Sequence, residues 1–312
     1  MTSATSLGPV TTHSGVPHDH NRVTVGVDGS PPSEHAVRWA AATAAGRRLA
    51  LHIVHATDFA PSEWTSMPFF RPAEIFEWAE EGARVVLSGA EVIARAVAPD
   101  LEITTEVAMT GSTKWLVELS REARLLVLGA SGTGRLGEAV LASTPVTVAA
   151  HARCPVVVVR GEQPADGPDV RPVVVGVDGS PSSVGAIDCA FEEASWRGAD
   201  LVVVHVWSDV KAGTFEALPL GFDPSAFAES EDALLSEQLA GYRERYPDVT
   251  IHRKVYVDGP RSHLRTWSEK AQLLVVGSRG RGGFTGLLLG STSNALLREA
   301  HCPVMVVRPP RI

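Results

Sequence analysis

The chain has 312 residues, a formal charge of −8, a pI near 5.8 and three cysteines. The acidic balance argues against a general nucleic-acid surface, which needs a basic patch to displace counterions, and so few cysteines argue against a disulfide framework or metal cage. No run approaches about eighteen consecutive apolar residues, and the first residues lack the basic and apolar segments of a signal peptide, so the expectation is a cytosolic protein with no membrane partner.

Taken in chain order, residues 1–20 are rich in Thr, Ser, Pro and His and read as a disordered tail, in which His13, His18 and His20 are solvated rather than metal-bound. A first domain is expected over 21–160. Its elements alternate from strand to helix, with strands near 23–28, 50–57, 101–109, 125–129 and 155–160. The helix over 76–97 has a 3.6-residue period through Phe76, Ala79, Ala83, Leu87, Ala90, Ile93 and Val97, which predicts one core-facing stripe. Residues 161–170, rich in Gly, Pro and acidic side chains, read as a linker. A second domain is expected over 171–312.

The second domain repeats the first. VTVGVDGSPPSEHAVRWA at 23–40 is echoed by VVVGVDGSPSSVGAIDCA at 173–190, LLVLG at 125–129 by LLVVG at 273–277, and HARCPVVVVR at 151–160 by EAHCPVMVVR at 299–308. Alternating Val-rich strands and helices require right-handed crossovers and a covered parallel sheet. The predicted fold is α/β: two tandem Rossmann-like domains, each a five-stranded parallel sheet with helices on both faces. Ligands of such sheets bind beyond the strand carboxyl ends, at the switch point.

Two segments meet there. The first is Gly277-Ser-Arg-Gly280 through Gly290, Ser291 and Thr292, a glycine-rich loop between an apolar strand and a helix start. Glycines let backbone amides approach a ligand, and Ser291 or Thr292 is expected to cap a helix whose N–H groups and dipole favour phosphate. The second is the strand end at Asp178-Gly-Ser180-Pro181. With Ser180 or Ser182 as the cap and Pro181 in the first turn, the Asp178 carboxylate is left for ribose hydroxyls or Mg2+. Asp28 occupies the same position in the first domain.

These residues resemble the universal stress protein family, in particular its tandem-domain members, from residue 22 to 309. The ATP-binding subgroup of that family carries Gly, two residues, Gly, nine residues, Gly, then Ser or Thr, and Gly277, Gly280, Gly290 and Ser291 reproduce it. The resemblance implies an adenine nucleotide alpha hydrolase-like fold and ATP, with Mg2+, as cofactor. It implies that Asp178 contacts the nucleoside, that Val206 lies near adenine, and that Gly277, Ser278, Gly280, Gly290, Ser291 and Thr292 hold phosphates, with Arg279 and Arg281 adding charge. In the first domain the corresponding residues are Asp28, Ala56, Gly129, Gly132, Ser143 and Thr144, and Mg2+ would reach Asp178 or Asp28 through ATP. It also implies that the two domains pair through their last strands, 156–159 and 304–307, and that two chains form a homodimer; left unpaired, such apolar edges invite association.

The first domain departs from the pattern. Ala142 stands where the second has Gly290, and Pro145 removes an amide from the helix N-terminus. Where that position needs a left-handed backbone, alanine costs roughly 1–2 kcal/mol. The expectation is therefore tighter ATP binding in the second domain. Gly132-Thr-Gly134-Arg-Leu-Gly137 spells a dinucleotide fingerprint but follows the fourth strand, not the first, and no GxxxxGK[ST] is present. His52, His55 and His205 have no nucleophile in recognisable context and read as buried, satisfied histidines, so no catalytic residue is assigned. Three classes remain: an ATP-binding regulatory module in stress adaptation, which the residues favour, a slow Mg-dependent ATPase, and a nucleotide-independent scaffold.

Overall fold

A computed structural model describes residues 21–57, 72–130, 143–160, 169–206, 224–257, 259–280 and 288–309. The tail, most of the linker, the dinucleotide-like run with Gly132 and Ala142, and Arg281 lie outside the described residues.

The strands are β1 (Arg22–Gly26), β2 (Ala50–Ala56), β3 (Ile103–Ala108), β4 (Leu125–Gly129) and β5 (Val156–Val159), then β6 (Val173–Val177), β7 (Leu201–Val206), β8 (Ile251–Tyr256), β9 (Leu273–Gly277) and β10 (Val304–Val307). Among the described residues the helices are α1 (Pro31–Arg47), α2 (Pro72–Val97), α3 (Ser112–Leu119), α4 (Ser143–His151), α5 (Pro181–Arg197), α6 (Pro224–Arg245), α7 (Pro260–Ser268) and α8 (Ser291–Glu299). The strands form one sheet in the order β3-β2-β1-β4-β5-β10-β9-β6-β7-β8. Pairing is parallel within each half, and β10 runs antiparallel to β5, with Val304 opposite Val158, Met305 opposite Val157 and Val306 opposite Val156.

The Val-rich strands have apolar residues on both faces because both faces are covered. Val23, Val25, Leu125, Val127, Val173, Val175 and Met305 belong to one layer, against α1, α2, α5 and α6. Leu126, Leu128, Val156, Val174, Leu274, Val276 and Val304 belong to the other, with Leu116, Leu264, Leu296 and Leu297 of the shorter helices. Burial of these side chains supplies roughly 1.5–3 kcal/mol each before chain entropy opposes it. The predicted stripe on α2 is present in Ala83, Leu87 and Ala90, which are buried, but Val97 is 39% exposed because the helix ends there and leaves the sheet.

Between the two halves, α1 lies beside α5. Trp196 of α5 packs so closely on Gly46 of α1 that a Cβ there would come within 2.7 Å of its ring. Glu193 of α5 is 1% exposed and holds two guanidiniums, Arg47 at 2.9 Å from α1 and Arg197 at 3.0 Å from its own helix. The Arg197 guanidinium also stacks over Trp39 and Trp196, at 5.2 and 4.3 Å from the ring centroids. Arg160, after β5, donates to the Leu297 carbonyl of α8 at 2.7 Å.

Cys154 and Cys302 are buried at matching positions before β5 and β10, and Cys189 sits partly covered on α5. Burial pushes all three thiols up to about 12, so at neutral pH they stay protonated and poor nucleophiles. A thiol-reactive dye is therefore expected to label the native protein only slowly and the unfolded chain at three sites. A fast-reacting thiol in the folded protein would contradict this.

Candidate functional site

Because β1 lies between β2 and β4, and β6 between β7 and β9, the chain leaving β6 meets the loop leaving β9 at the carboxyl edge of the sheet. There Asp178 and Gly280 touch: a Cβ built on Gly280 would lie 2.7 Å from Asp178 Oδ2. Any side chain at 280 would displace the carboxylate. Oδ1 of Asp178 accepts the Ser180 N–H at 2.9 Å and the Ser183 hydroxyl at 2.6 Å, and Ser183 Oγ accepts the Asp178 N–H at 3.1 Å. The expectation that Asp178 is spared structural duty is thus corrected, since one of its oxygens ties the strand to α5 while the other lies against the loop.

Ser180 is the N-cap residue of α5, but its hydroxyl makes no capping bond and is buried with no hydrogen-bond partner among the described residues. A buried polar atom left unpaired is costly and marks a place where a ligand group or water is accommodated. In the first half the geometry differs. Ser30 does cap, accepting the Ser33 N–H at 3.4 Å, and it donates both its N–H and its hydroxyl to Asp28 Oδ1, at 3.0 and 2.5 Å.

Gly277 ends β9 opposite Val307, and its carbonyl accepts the Ser293 hydroxyl at 2.6 Å. Ser278 is buried, donates its N–H to the Val307 carbonyl at 2.7 Å and accepts the Gly290 N–H at 2.8 Å, which draws the two ends of the loop together. Gly290 is the N-cap of α8, with φ −69° and no side-chain cap, so Ser291 and Thr292 are the first two helical residues rather than caps. The first-turn amides therefore open toward the loop without a competing side chain.

The dihedral also removes the supposed backbone strain at this position. Gly290 lies in a region every residue adopts, and a Cβ there would meet Ser278 O at 3.5 Å, ordinary contact. What separates the two halves on the described residues is Pro145 of α4, standing where α8 has Ser293, so the bond from Ser293 to the strand carbonyl has no counterpart. Ser143 and Thr144 open α4, and the Thr113 hydroxyl donates to Thr144 at 3.4 Å. Gly129 is packed under α1: a Cβ there would fall 2.7 Å from the Pro32 carbonyl carbon and oxygen.

Val206 is the buried last residue of β7, and Ala56, half-buried, ends β2. His205 beside Val206 has both ring nitrogens engaged, Nδ1 with the Val177 carbonyl at 3.1 Å and Nε2 with Glu231 at 2.8 Å. His55 repeats the first contact, with the Val27 carbonyl at 2.7 Å. His205 is thus a satisfied histidine, and it and His55 tie β7 and β2 to their neighbours. The expectation fails at His52, whose Nε2 pairs with Glu106 at 3.2 Å while its buried Nδ1 has no hydrogen-bond partner among the described residues. Ser183, Ser293 and the unpaired Ser180 hydroxyl were missed by the sequence reading. The signal for Ser183 was present, since Ser33 matches it in the repeated VDGSP segment.

With two such halves joined in one sheet, each a set of parallel strands with a VDGSP strand-to-helix corner at its carboxyl edge, the class is a tandem α/β protein of Rossmann-like type. The chain belongs to the universal stress protein family, whose model matches residues 20–160 and again 169–308. It is 42% identical over 296 residues to a universal stress protein of Mycobacterium tuberculosis, covering 94% of this chain and 98% of that one. A universal stress protein of Mycolicibacterium smegmatis is 41% identical over 290 residues, covering 92% and 97%. Among solved structures, a universal stress protein from Archaeoglobus fulgidus superposes with a TM-score of 0.68 at 17% identity, covering 93% of this chain and 98% of that chain, a likeness of fold.

Proposed function

We propose that this chain is a nucleotide-responsive regulatory module of stress adaptation that binds ATP, accompanied by Mg2+, chiefly in its second half. The observation that carries the reading is the closure of Asp178 on Gly280 beside the side-chain-free N-terminus of α8. It supports a site in which a carboxylate and a row of main-chain amides face the same space, the combination that ribose hydroxyls and phosphates require. In this reading Asp178 and the unpaired Ser180 hydroxyl hold the nucleoside side, Val206 borders the base, and Gly277, Ser278, Gly280, Gly290, Ser291 and Thr292 surround the phosphates. Mg2+ would neutralise phosphate charge; a single nearby carboxylate suits an ion bound mainly through phosphates and water.

The first half, with Asp28, Ala56, Gly129, Gly132, Ser143 and Thr144 in the matching places, is proposed as the weaker site because Pro145 takes an amide from the helix end. We further assign domains to 21–160 and 171–312, paired within the chain through β5 and β10, with two chains forming a cytoplasmic homodimer. Among the described residues no helix is long and apolar enough to cross a membrane.

The test is the nucleotide content of freshly purified protein together with ATP titration of Gly290→Asp. The wild type is expected to carry or take up ATP. The variant places a carboxylate at the helix end in ordinary contact with Ser278, so it should fold normally and lose about tenfold to a hundredfold in affinity. Undiminished binding by the variant overturns the site, and a wild type that neither carries nor takes up adenine nucleotide overturns the function.

A further inference from the structure

The outer face of α2 carries a pattern that nucleotide binding does not use. Trp78, Val85 and Val92 are 65%, 65% and 69% exposed, and they recur every seventh residue on one side of the helix. Gly82, Gly89 and Ala96 continue the same line at alternating steps of four and three, and all three are exposed. A Cβ built at Gly82 or Gly89 meets nothing within 4 Å. Glycine inside a helix is destabilising relative to alanine, yet among the described residues neither of these serves a close contact within the chain. Positions 78, 82, 85, 89, 92 and 96 thus form the narrow stripe of a helix-pairing seam. It lies opposite Ala83, Leu87, Ala90 and Ala94, which fix α2 to the sheet.

The seam is complementary to itself when reversed. If the α2 of a second copy is laid antiparallel, with the two-fold at the level of Leu87, Trp78 falls against Ala96, Val92 against Gly82, and Val85 against Gly89. Every layer sets bulk against a gap, which is how facing helices interdigitate and what a two-fold interface demands of one surface. A parallel pair would instead stack bulk on bulk and gap on gap.

Charge selects the same orientation. Glu81, Ser88 and Arg95 form one flanking row, and the same reversal brings Glu81 of each copy to within two residues' rise, about 3 Å along the axis, of Arg95 of the other, with Ser88 equally near Ser88, offsets that long side chains span. Among the described residues the ion pairs of Glu81 and Arg95 run along their own exposed helix face, with Arg84 at 3.3 Å and Glu91 at 2.8 Å, and such pairs exchange readily. Among the described side chains of the corresponding α6, the exposed residues include Glu237, Gln238, Arg243, Glu244 and Arg245, and no such apolar row appears.

We propose that the outer face of α2 is the surface through which two copies of this chain associate, their α2 helices antiparallel. This rests on the homodimer reading above and names its interface. Sedimentation equilibrium of the full chain over a dilution series tests it, with thermal melts confirming that each variant folds. The wild type is expected to dimerise, and Val85→Glu or Gly89→Lys to raise the dissociation constant about tenfold or more, the scale of one central hot-spot contact. Arg95→Glu and Glu81→Arg should each weaken the dimer, and the two together should restore it. A wild-type dimer indifferent to Val85→Glu and Gly89→Lys overturns this surface and leaves the dimer standing. A wild type that stays monomeric throughout overturns the dimer and the surface together, without touching the nucleotide site.

Discussion

Glu193→Ala is expected to lower the unfolding free energy by about 3–5 kcal/mol, the cost of leaving buried charge without its partner. Glu193 is 1% exposed and is gripped by Arg47 and Arg197, whose side chains are 10% and 12% exposed. Its removal strips Arg197 of its carboxylate and leaves Arg47 only the more exposed Glu192, at the junction of the two halves, and Arg197 is further confined between Trp39 and Trp196. Urea denaturation followed by tryptophan fluorescence would read the loss as a lower midpoint. The neighbouring Glu192 provides the contrast, since it pairs with Arg47 and Arg124 from a position 36% exposed. Glu192→Ala should cost about 0–1 kcal/mol, as solvent-screened pairs do. Equal losses for the two glutamates would contradict the argument.

Gly129→Ala is expected to cost about 1–3 kcal/mol or more, because its Cβ would press on the Pro32 carbonyl at 2.7 Å and the Ser33 nitrogen at 2.9 Å. Those are main-chain atoms at the start of α1 and cannot swing aside as a side chain would. The substitution should push α1 off the end of β4, a displacement visible as a lower melting temperature and faster amide exchange in the first turn of α1. Gly290→Ala is the control, since its Cβ would make ordinary contact at 3.5 Å and its φ of −69° suits any residue. Its effect should stay within about 0.5 kcal/mol, the range of unremarkable surface changes. Comparable destabilisation at the two glycines would show that close packing under α1 is not what Gly129 provides.

Much of the architecture was legible because its signals are local. Runs such as LLVLG and VVVV are too short and too uniformly apolar for an amphipathic helix, and the duplicated VDGSP corner marks the same strand-to-helix turn twice. The inner stripe of α2 was legible at Ala83, Leu87 and Ala90, which are buried, and failed at Val97, where the periodicity outlasts the surface it packs on; the Phe76 side chain lies outside the described residues.

The candidate site was legible as a list of residues and not as a set of contacts. Nothing near Asp178 in sequence announces Gly280, about a hundred residues away; they meet because β6 and β9 are neighbours, an outcome of strand order. The cap was misassigned because Ser291 and Thr292 have the chemistry of N-caps, whereas the bond from the Gly290 amide to the Ser278 carbonyl holds Gly290 in that place. Glu193 was invisible for a similar reason. A glutamate in EEASWR reads as an outer-face residue, and it is the approach of Arg47 from the other half that buries it beside Arg197 of its own helix.

The antiparallel step between β5 and β10 sets where the two carboxyl edges lie. Strands run one way through the first five and the opposite way through the second five, so the two carboxyl edges, and the loops that gather on them, face away from each other across the slab. A macromolecule resting on one rim leaves the other uncovered. On the proposed reading, in which each half holds its own nucleotide site, the two sites would open to opposite sides of the slab, so that one could be covered while the other exchanges.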